Sequence, residues 1–262
     1  MSLTRTRSGA LVSSMTTWIF LRGLMREARH WGEFPTQFRA AMPGQDIVTI
    51  DFPGNGSLHE EKSATTVEQM AEHCRNYLKQ SGHLPPYHVV ALSLGAMVAV
   101  AWADRHPADI KKMVLINTSL APHNPFYQRL RPQNYLTLCS LLMHGSVAHR
   151  EALIWQLTSS KTSDEQRKNT VAQWRIYATE CPINRMNIVR QLRAAMFYRA
   201  PKGIPAASIL LLAGRQDKLV NPACSLTLAQ KWACPIKIHP SAGHDLPLDD
   251  GEWVAQQIKA WL

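Results

Sequence analysis

The sequence predicts an α/β fold in which a mostly parallel central sheet is flanked by helices. Short apolar segments rich in Val, Ile and Leu alternate with helical segments along most of the 262 residues. This alternation is typical of a parallel sheet that is covered on both faces. One stretch, residues 122–200, shows helical patterns only, and prolines mark both of its ends. We interpret it as a helical insertion between two strands.

Local patterns of apolar residues predict the individual helices and strands. Helices are predicted at 67–80, where apolar residues recur on one face, at 94–105, which is apolar nearly all round, and at 252–262, which is amphipathic. The strands are predicted at 18–21, 46–50, 87–92, 112–116, 208–212 and 235–238.

This order divides the chain into two parts. Residues 1–121 and 201–262 form the predicted core, and residues 122–200 form a predicted α-helical lid inserted before the strand at 208–212. A chain of this length suits one domain with such a lid.

Composition limits the class of protein. The chain is 45% hydrophobic and 18% charged, as expected for a soluble globular protein, and no apolar run reaches the length of a membrane span. The basic, hydroxyl-rich segment 1–7 is not followed by a signal-peptide core, so we expect a cytoplasmic location. Five scattered cysteines without CxxC spacing indicate neither zinc nor a disulfide framework, and no metal or cofactor is expected.

Ser93 is the first candidate for chemistry. The predicted strand 87–92 ends at this serine, Gly95 follows two residues later, and a buried helix begins. A sharp strand-to-helix turn is the setting in which a serine is exposed as a nucleophile at the end of a sheet. A helix N-cap is the alternative for an isolated serine in this position.

Further motifs decide between the two interpretations of Ser93. Together they resemble the α/β-hydrolase family over nearly the whole chain, and the nucleophile, acid and base stand in the family's order. The motifs are Leu21–Leu24, Asp51–Ser57, Ala91–Gly95, Gly214–Val220 and Ala242–Pro247.

The resemblance implies a role for each site residue. Ser93 is the nucleophile, His244 is the base that takes its proton, and Asp217 orients and stabilises the imidazole. Backbone N–H groups of Leu24 and Leu94 are the expected donors to the oxyanion. Asp217 as a turn residue and His244 as a packed loop residue are the structural alternatives.

The sequence departs from the family pattern at two positions, one in the elbow of Ser93 and one in the loop that contains Leu24. Ala91 stands where the elbow usually has its first glycine, and we expect the elbow to tolerate the methyl group. Arg22 stands where a histidine usually precedes Gly23. Its guanidinium either contacts an anionic substrate or pairs with a nearby carboxylate.

Charge is concentrated in the predicted lid. Residues 122–200 contain eleven Arg and Lys against four Asp and Glu, a net +7 of the chain's +10. Either this is an ordinary solvated surface, or it attracts a substrate that is anionic or carried on an acidic carrier protein. Hydrolases resembling the pimeloyl-carrier-protein methyl ester esterases use a basic lid in this second way. The basic residues match no nucleic-acid-binding motif, so nucleic acid is not expected as a partner.

The sequence therefore predicts a serine hydrolase, with a small-molecule acyl ester as substrate and a covalent acyl-enzyme. Thioester, lactone or carbon–carbon bond hydrolysis on the same triad is the first alternative, and a non-catalytic ligand-binding protein is the second. The acyl-chain length and the choice between monomer and homodimer stay open. Aromatic lid residues such as Trp155, Trp174 and Tyr177 are expected either to line an acyl pocket or to pack the lid onto the core.

Overall fold

A computed structural model describes residues 16–143, 146–161 and 163–262. The N-terminal segment 1–7, on which the expected cytoplasmic location is based, lies outside these residues. Within them, six strands form one parallel sheet with the order β2-β1-β3-β4-β5-β6. The strands are β1 Thr17–Leu21, β2 Asp46–Ile50, β3 Tyr87–Leu92, β4 Ile110–Ile116, β5 Ser208–Gly214 and β6 Ile236–His239.

Ten α-helices accompany the sheet in the described part of the chain. They are α1 Phe34–Ala41, α2 Val67–Gln80, α3 Leu94–Arg105, α4 Phe126–Arg129, α5 Tyr135–Met143, α6 Val147–Thr158, α7 Asp164–Glu180, α8 Arg185–Phe197, α9 Ala223–Trp232 and α10 Leu246–Trp261. No helix among the described residues is long and apolar enough to cross a membrane.

Alternating strand side chains build an apolar layer on each face of the sheet. Ile19 and Leu21 face the layer that contains α2, α3 and α9, whereas Trp18 and Phe20 face the layer of α1 and α10. The strands are therefore buried on both faces, as their continuous apolar composition predicts. The expected α/β fold class is confirmed.

The helices α4 to α8 lie between β4 and β5, where the sequence predicts the lid. A small apolar cluster of Leu141, Ile154, Trp155 and Trp174 holds α5, α6 and α7 together. We keep the name lid for residues 122–200.

Three helices differ from the sequence analysis. The helices α1 and α9 were not predicted, because their short apolar faces lie close to prolines and glycines. The last helix begins at Leu246 and not at residue 252, with a non-helical backbone at Asp250. The Asp250 carboxylate accepts a hydrogen bond from Trp253 N at 2.9 Å, so it caps the second part of α10.

Candidate active site

Ser93 lies at a sharp turn between β3 and α3. Its φ of 55° and ψ of −113° are strained for a residue with a side chain. The serine stands at the N-cap position, yet its side chain makes no capping hydrogen bond within the described chain. The geometry is thus that of a nucleophile elbow and not that of an ordinary helix cap.

Close backbone approach explains the glycines around the elbow. A Cβ on Gly95 would lie 2.4 Å from Leu21 O and 2.7 Å from Arg22 O, so no larger residue fits there. A Cβ on Gly23 would lie 3.3 Å from the Ser93 Cβ. Ala91 is fully buried and the elbow forms around its methyl group, as the sequence analysis expects.

Asp217 and His244 form a buried pair beyond the ends of β5 and β6. The imidazole Nδ1 lies 2.7 Å from Asp217 Oδ2. The second carboxylate oxygen, Oδ1, accepts hydrogen bonds from Leu219 N at 2.8 Å and Val220 N at 2.9 Å. The carboxylate is therefore fixed on one side by the backbone and holds the imidazole with the other.

The pair changes the acidity of the histidine. Burial disfavours the charged imidazolium, but attraction and hydrogen bonding from the Asp217 carboxylate outweigh it and raise the pKa of His244 above its ordinary value. A raised pKa favours the imidazolium, which is the form that a histidine takes when it acts as a general base.

A cavity of about 390 Å³ connects the candidate residues. Ser93, His244, Leu24 and Leu94 line it, together with Arg22. Within the described chain Ser93 and His244 are not joined by a hydrogen bond, and such contacts often tighten only when a substrate binds. The remaining wall is largely apolar, with Leu, Met and Ile side chains from the lid and the core.

The two expected oxyanion donors are available at this cavity. Leu94 is the first residue of α3, so its N–H has no partner inside the helix. The N–H of Leu24 donates no hydrogen bond within the described part of the chain. Both residues line the cavity together with Ser93.

Arg22 pairs with a carboxylate, the second of its two interpretations. Its guanidinium binds Asp245 through two hydrogen bonds, of 3.1 Å and 2.5 Å, and both residues are buried. It also lies 4.8 Å from the ring centre of Trp31. The pair joins the oxyanion loop to the residue after His244, so Arg22 supports the loop where the family usually has a histidine.

Sequence analysis missed Asn117, which connects the acid and base loops. Its amide group donates to Gly243 O at 2.9 Å and His244 O at 2.7 Å, and its oxygen accepts from Gly214 N at 2.8 Å. It adopts a positive φ of 47°, which asparagine tolerates better than most residues. The position of this polar residue directly after the buried strand β4 could have identified Asn117 from the sequence.

Sequence analysis also missed Gln191, a fully buried residue of α8 in the lid. Its oxygen accepts a hydrogen bond from Met25 N at 3.0 Å, in the oxyanion loop. Its nitrogen donates to Asn55 Oδ1 at 2.8 Å and Ser63 Oγ at 3.0 Å. Nothing in the sequence distinguishes this glutamine from the other lid glutamines.

Asp249 fastens another part of the lid to the base loop. Its carboxylate accepts hydrogen bonds from Ser159 Oγ at 2.6 Å, Ser160 N at 3.0 Å and Gly243 N at 2.7 Å. Lys218, next to Asp217, donates to Gln156 O at 3.1 Å. The end of α6 is therefore bound to the loops that carry Asp217 and His244.

The three aromatic lid residues named in the sequence analysis, Trp155, Trp174 and Tyr177, pack within the lid and do not line the cavity. Trp155 and Trp174 belong to the lid cluster, and Arg26 stacks at 4.1 Å on Trp174 while it pairs with Glu151 at 2.6 Å. Among the described residues, no group of three or more His, Cys, Asp or Glu side chains could hold a metal ion.

Comparisons with known proteins match most of this chain to one family. A model of the alpha/beta hydrolase family matches residues 18–257. A protein of Arabidopsis thaliana named "Probable lysophospholipase BODYGUARD 2" is 30% identical over 113 residues, which cover 42% of this chain and 23% of the plant protein. The matched stretch is thus about a quarter of that relative's length.

Two solved structures show the same fold. A thermophilic esterase from Thermogutta terrifontis has a TM-score of 0.74 at 17% identity, with 94% of this chain and 89% of the other covered. A 2-hydroxy-6-oxo-6-phenylhexa-2,4-dienoate hydrolase from a Rhodococcus strain has a TM-score of 0.76 at 16% identity, with 94% and 90% covered.

Proposed function

We propose, since the chain belongs to the alpha/beta hydrolase family, that it hydrolyses carboxylic esters through a Ser93–His244–Asp217 triad. The observation that carries the proposal is the buried 2.7 Å pair of His244 and Asp217 at the cavity into which the strained Ser93 elbow opens. The esterase and lysophospholipase names among the similar proteins support an ester as substrate.

In the first half-reaction, Ser93 Oγ attacks the acyl carbon and its proton passes to the Nε2 atom of His244. The carbonyl oxygen becomes an oxyanion, which the N–H groups of Leu24 and Leu94 stabilise, each contributing about 3 kcal/mol. The bond from carbon to the alcohol oxygen then breaks, and His244 gives its proton to that oxygen. The alcohol leaves and the acyl group stays on Ser93.

In the second half-reaction, water attacks the acyl-enzyme. His244 takes a proton from the water, the carbon–Ser93 bond breaks, and the same proton returns to Ser93 Oγ. The free acid leaves. Asp217 remains ionised throughout and stabilises the imidazolium formed in each half-reaction.

Labelling with a fluorophosphonate probe tests the nucleophile. We expect the folded wild-type protein to be labelled and the Ser93→Ala variant to be unlabelled, with Ser119→Ala as a matched control because Ser119 lines the same cavity. A folded wild-type protein that resists the probe would instead be the non-catalytic binding protein.

A panel of substrates tests the bond that is cleaved. Esters, thioesters and lactones of matched acyl groups, together with a carbon–carbon hydrolase substrate, are compared by kcat/KM. The highest value is expected for an ester with an apolar acyl group, because the cavity wall is mainly apolar. A consistent preference for another class would overturn the ester assignment and leave the triad standing. The cytoplasmic location expected from the sequence stays a prediction.

A further inference from the structure

The opening of the cavity carries exposed apolar side chains. Phe126 of α4 and Met196 of α8 both line the cavity, and each is 47% exposed. The residues that follow them, Tyr127 and Phe197, are 60% and 68% exposed. Because the cavity-lining pair is also open to solvent, the mouth of the cavity lies between α4 and the end of α8.

Direct contacts join the elements around this mouth. Arg129 of α4 donates to Ala195 O of α8 at 2.8 Å. The Phe126 ring lies 6.0 Å from that of Tyr135, the first residue of α5. Leu136, which follows, is 86% exposed. We call Phe126, Tyr127, Leu136, Met196 and Phe197 the mouth surface.

The chain segments that supply the mouth surface carry charges of one sign. The sequence contains no Asp or Glu from residue 110 to 150, nor from 181 to 216. These ranges supply α4, α5 and α8. Within the described residues, the basic side chains nearest the mouth in sequence form no ion pair with a carboxylate. They are Arg129, Arg131, Arg193, Arg199 and Lys202.

The helix α7 of the lid differs in its charge balance and supplies no residue to the cavity wall. The helix α7 carries Asp164, Glu165 and Glu180 among its basic residues. Arg29 pairs there with Glu180, and Arg26 pairs with the buried Glu151. The excess of positive charge therefore belongs to the mouth side of the lid and not to the whole helical surface.

We propose that the mouth surface docks onto an anionic phospholipid membrane, with the bulky apolar side chains at the level of the headgroups and the unpaired arginines on lipid phosphates. Aromatic and long basic side chains are those that lie at membrane interfaces, and anionic lipids attract basic surfaces. In this orientation the apolar cavity opens directly on the lipid, so an acyl chain enters without crossing water.

Two other partners fit the mouth surface less well than a membrane does. A second copy of the chain would bring the same unpaired guanidinium groups of both copies close together, and these would repel. An acidic carrier protein would match the charge but gives no reason for the exposed apolar side chains of the mouth surface. Both remain distinguishable outcomes of the experiment.

Vesicle co-sedimentation tests the docking. We expect the protein to bind vesicles of phosphatidylcholine with phosphatidylglycerol, to bind pure phosphatidylcholine much more weakly, and to lose binding as salt is raised. Phe197→Ser together with Tyr127→Ser should weaken binding about tenfold or more, because apolar area no longer inserts. Arg193→Glu with Arg199→Glu should do the same.

Matched controls lie on α7. Ile176 is 50% exposed, and Lys168 and Arg175 are exposed, so Ile176→Ser and Lys168→Glu with Arg175→Glu make the same changes away from the mouth. These variants should bind vesicles like the wild type. Thermal melting of every variant shows that it is folded.

Membrane docking goes beyond the proposed function. Because vesicle binding does not require ester hydrolysis, the experiment can overturn docking and leave the proposed function unaffected. Ser93→Ala should bind vesicles as the wild type does, whether or not the triad hydrolyses esters. Equal binding to neutral and anionic vesicles, equal effects of mouth and α7 variants, or capture only by an acidic carrier protein would each overturn the proposal. So would concentration-dependent dimerisation that the Phe197→Ser change abolishes.

Discussion

At the residue scale, each oxygen of the Asp217 carboxylate has its own task. Oδ1 accepts two backbone N–H groups of the acid loop, and Oδ2 holds the His244 imidazole. The oxygen of an asparagine can still accept the two backbone N–H groups, but its NH₂ group then faces His244 Nδ1. This arrangement favours the tautomer with the proton on Nε2, which cannot accept a proton from Ser93. The substitution thus separates loop structure from catalysis.

We therefore predict that Asp217→Asn lowers kcat/KM for an ester by about 10⁴-fold while the thermal midpoint changes little. The neutral form of His244 is the active base, and the Asp217 carboxylate raises the pKa of that imidazole. Without the carboxylate, the pH below which residual activity falls should therefore move downward. Steady-state rates across pH measure both effects.

The exposed Asp164 at the start of α7 provides the control, and Asp164→Asn should leave rate and pH profile as in the wild type. An acid limb that stays at the same pH in Asp217→Asn would contradict the role given to the carboxylate.

At the element scale, polar contacts bind the lid at several points to the loops that carry Met25, Asp217 and His244. Gln191 of α8 holds the oxyanion loop at Met25 N, where the backbone has a positive φ of 61°. Asp249 holds the end of α6. The lid thus helps to shape the site as well as covering it.

We predict that Gln191→Met lowers kcat about tenfold with a smaller change in KM, because the loop next to Leu24 N loses a buried acceptor. Gln191→Glu keeps an acceptor for Met25 N and should recover part of kcat. Single-turnover and steady-state kinetics with a water-soluble ester provide the measurement.

Gln173 is exposed on α7, so Gln173→Met is the matched change away from the loop. If Gln191→Met lowers thermal stability but leaves kcat unchanged, its role is structural only.

The elements differ in how well their sequences revealed them. The helix α2 follows from the periodicity of its apolar residues, whereas α3 and the strands follow from continuous apolar sequence, which is buried on every side in β3 and in most of α3. The helices α1 and α9 are only 8 and 10 residues long and begin beside a proline, so they depend on packing against neighbours. Likewise, Ser93, Asp217 and His244 stand in local motifs, whereas Gln191 reaches Met25 across 166 positions, a contact that no local pattern encodes.

At the scale of the whole molecule, buried histidines couple folding to pH. Burial lowers the pKa of His88 to about 4, with Lys112 and Lys111 adding to the effect. Burial also lowers the pKa of His30 well below its ordinary value, assisted by Arg26. These groups favour the fold above the pKa of the unfolded chain, about 6.5, and that contribution is lost as pH falls below it.

We predict that the free energy of unfolding falls between pH 7.5 and pH 5, by about 1–3 kcal/mol for His88 alone. His88→Phe keeps an aromatic ring against Trp18, whose ring centre lies 4.8 Å away, and removes the titrating group. Urea unfolding at both pH values should therefore show a smaller loss in this variant.

The raised pKa of His244 acts in the opposite direction, since its contribution is present at low pH and is lost as pH rises through the raised value. Parallel losses of stability in the wild type and His88→Phe would exclude His88 as a source of the pH dependence.

The contacts of Asp249 also have a consequence in time. On the ribosome, the nucleophile and the lid are synthesised before Asp217, His244 and Asp249, and the serines that Asp249 binds emerge about ninety positions ahead of it. A nascent chain that ends before β5 contains Ser93 but neither Asp217 nor His244. Its lid also lacks the hydrogen bonds to Asp249. Ser93, Asp217 and His244 therefore come together only late in synthesis, after the segment that carries His244 and Asp249 has been made.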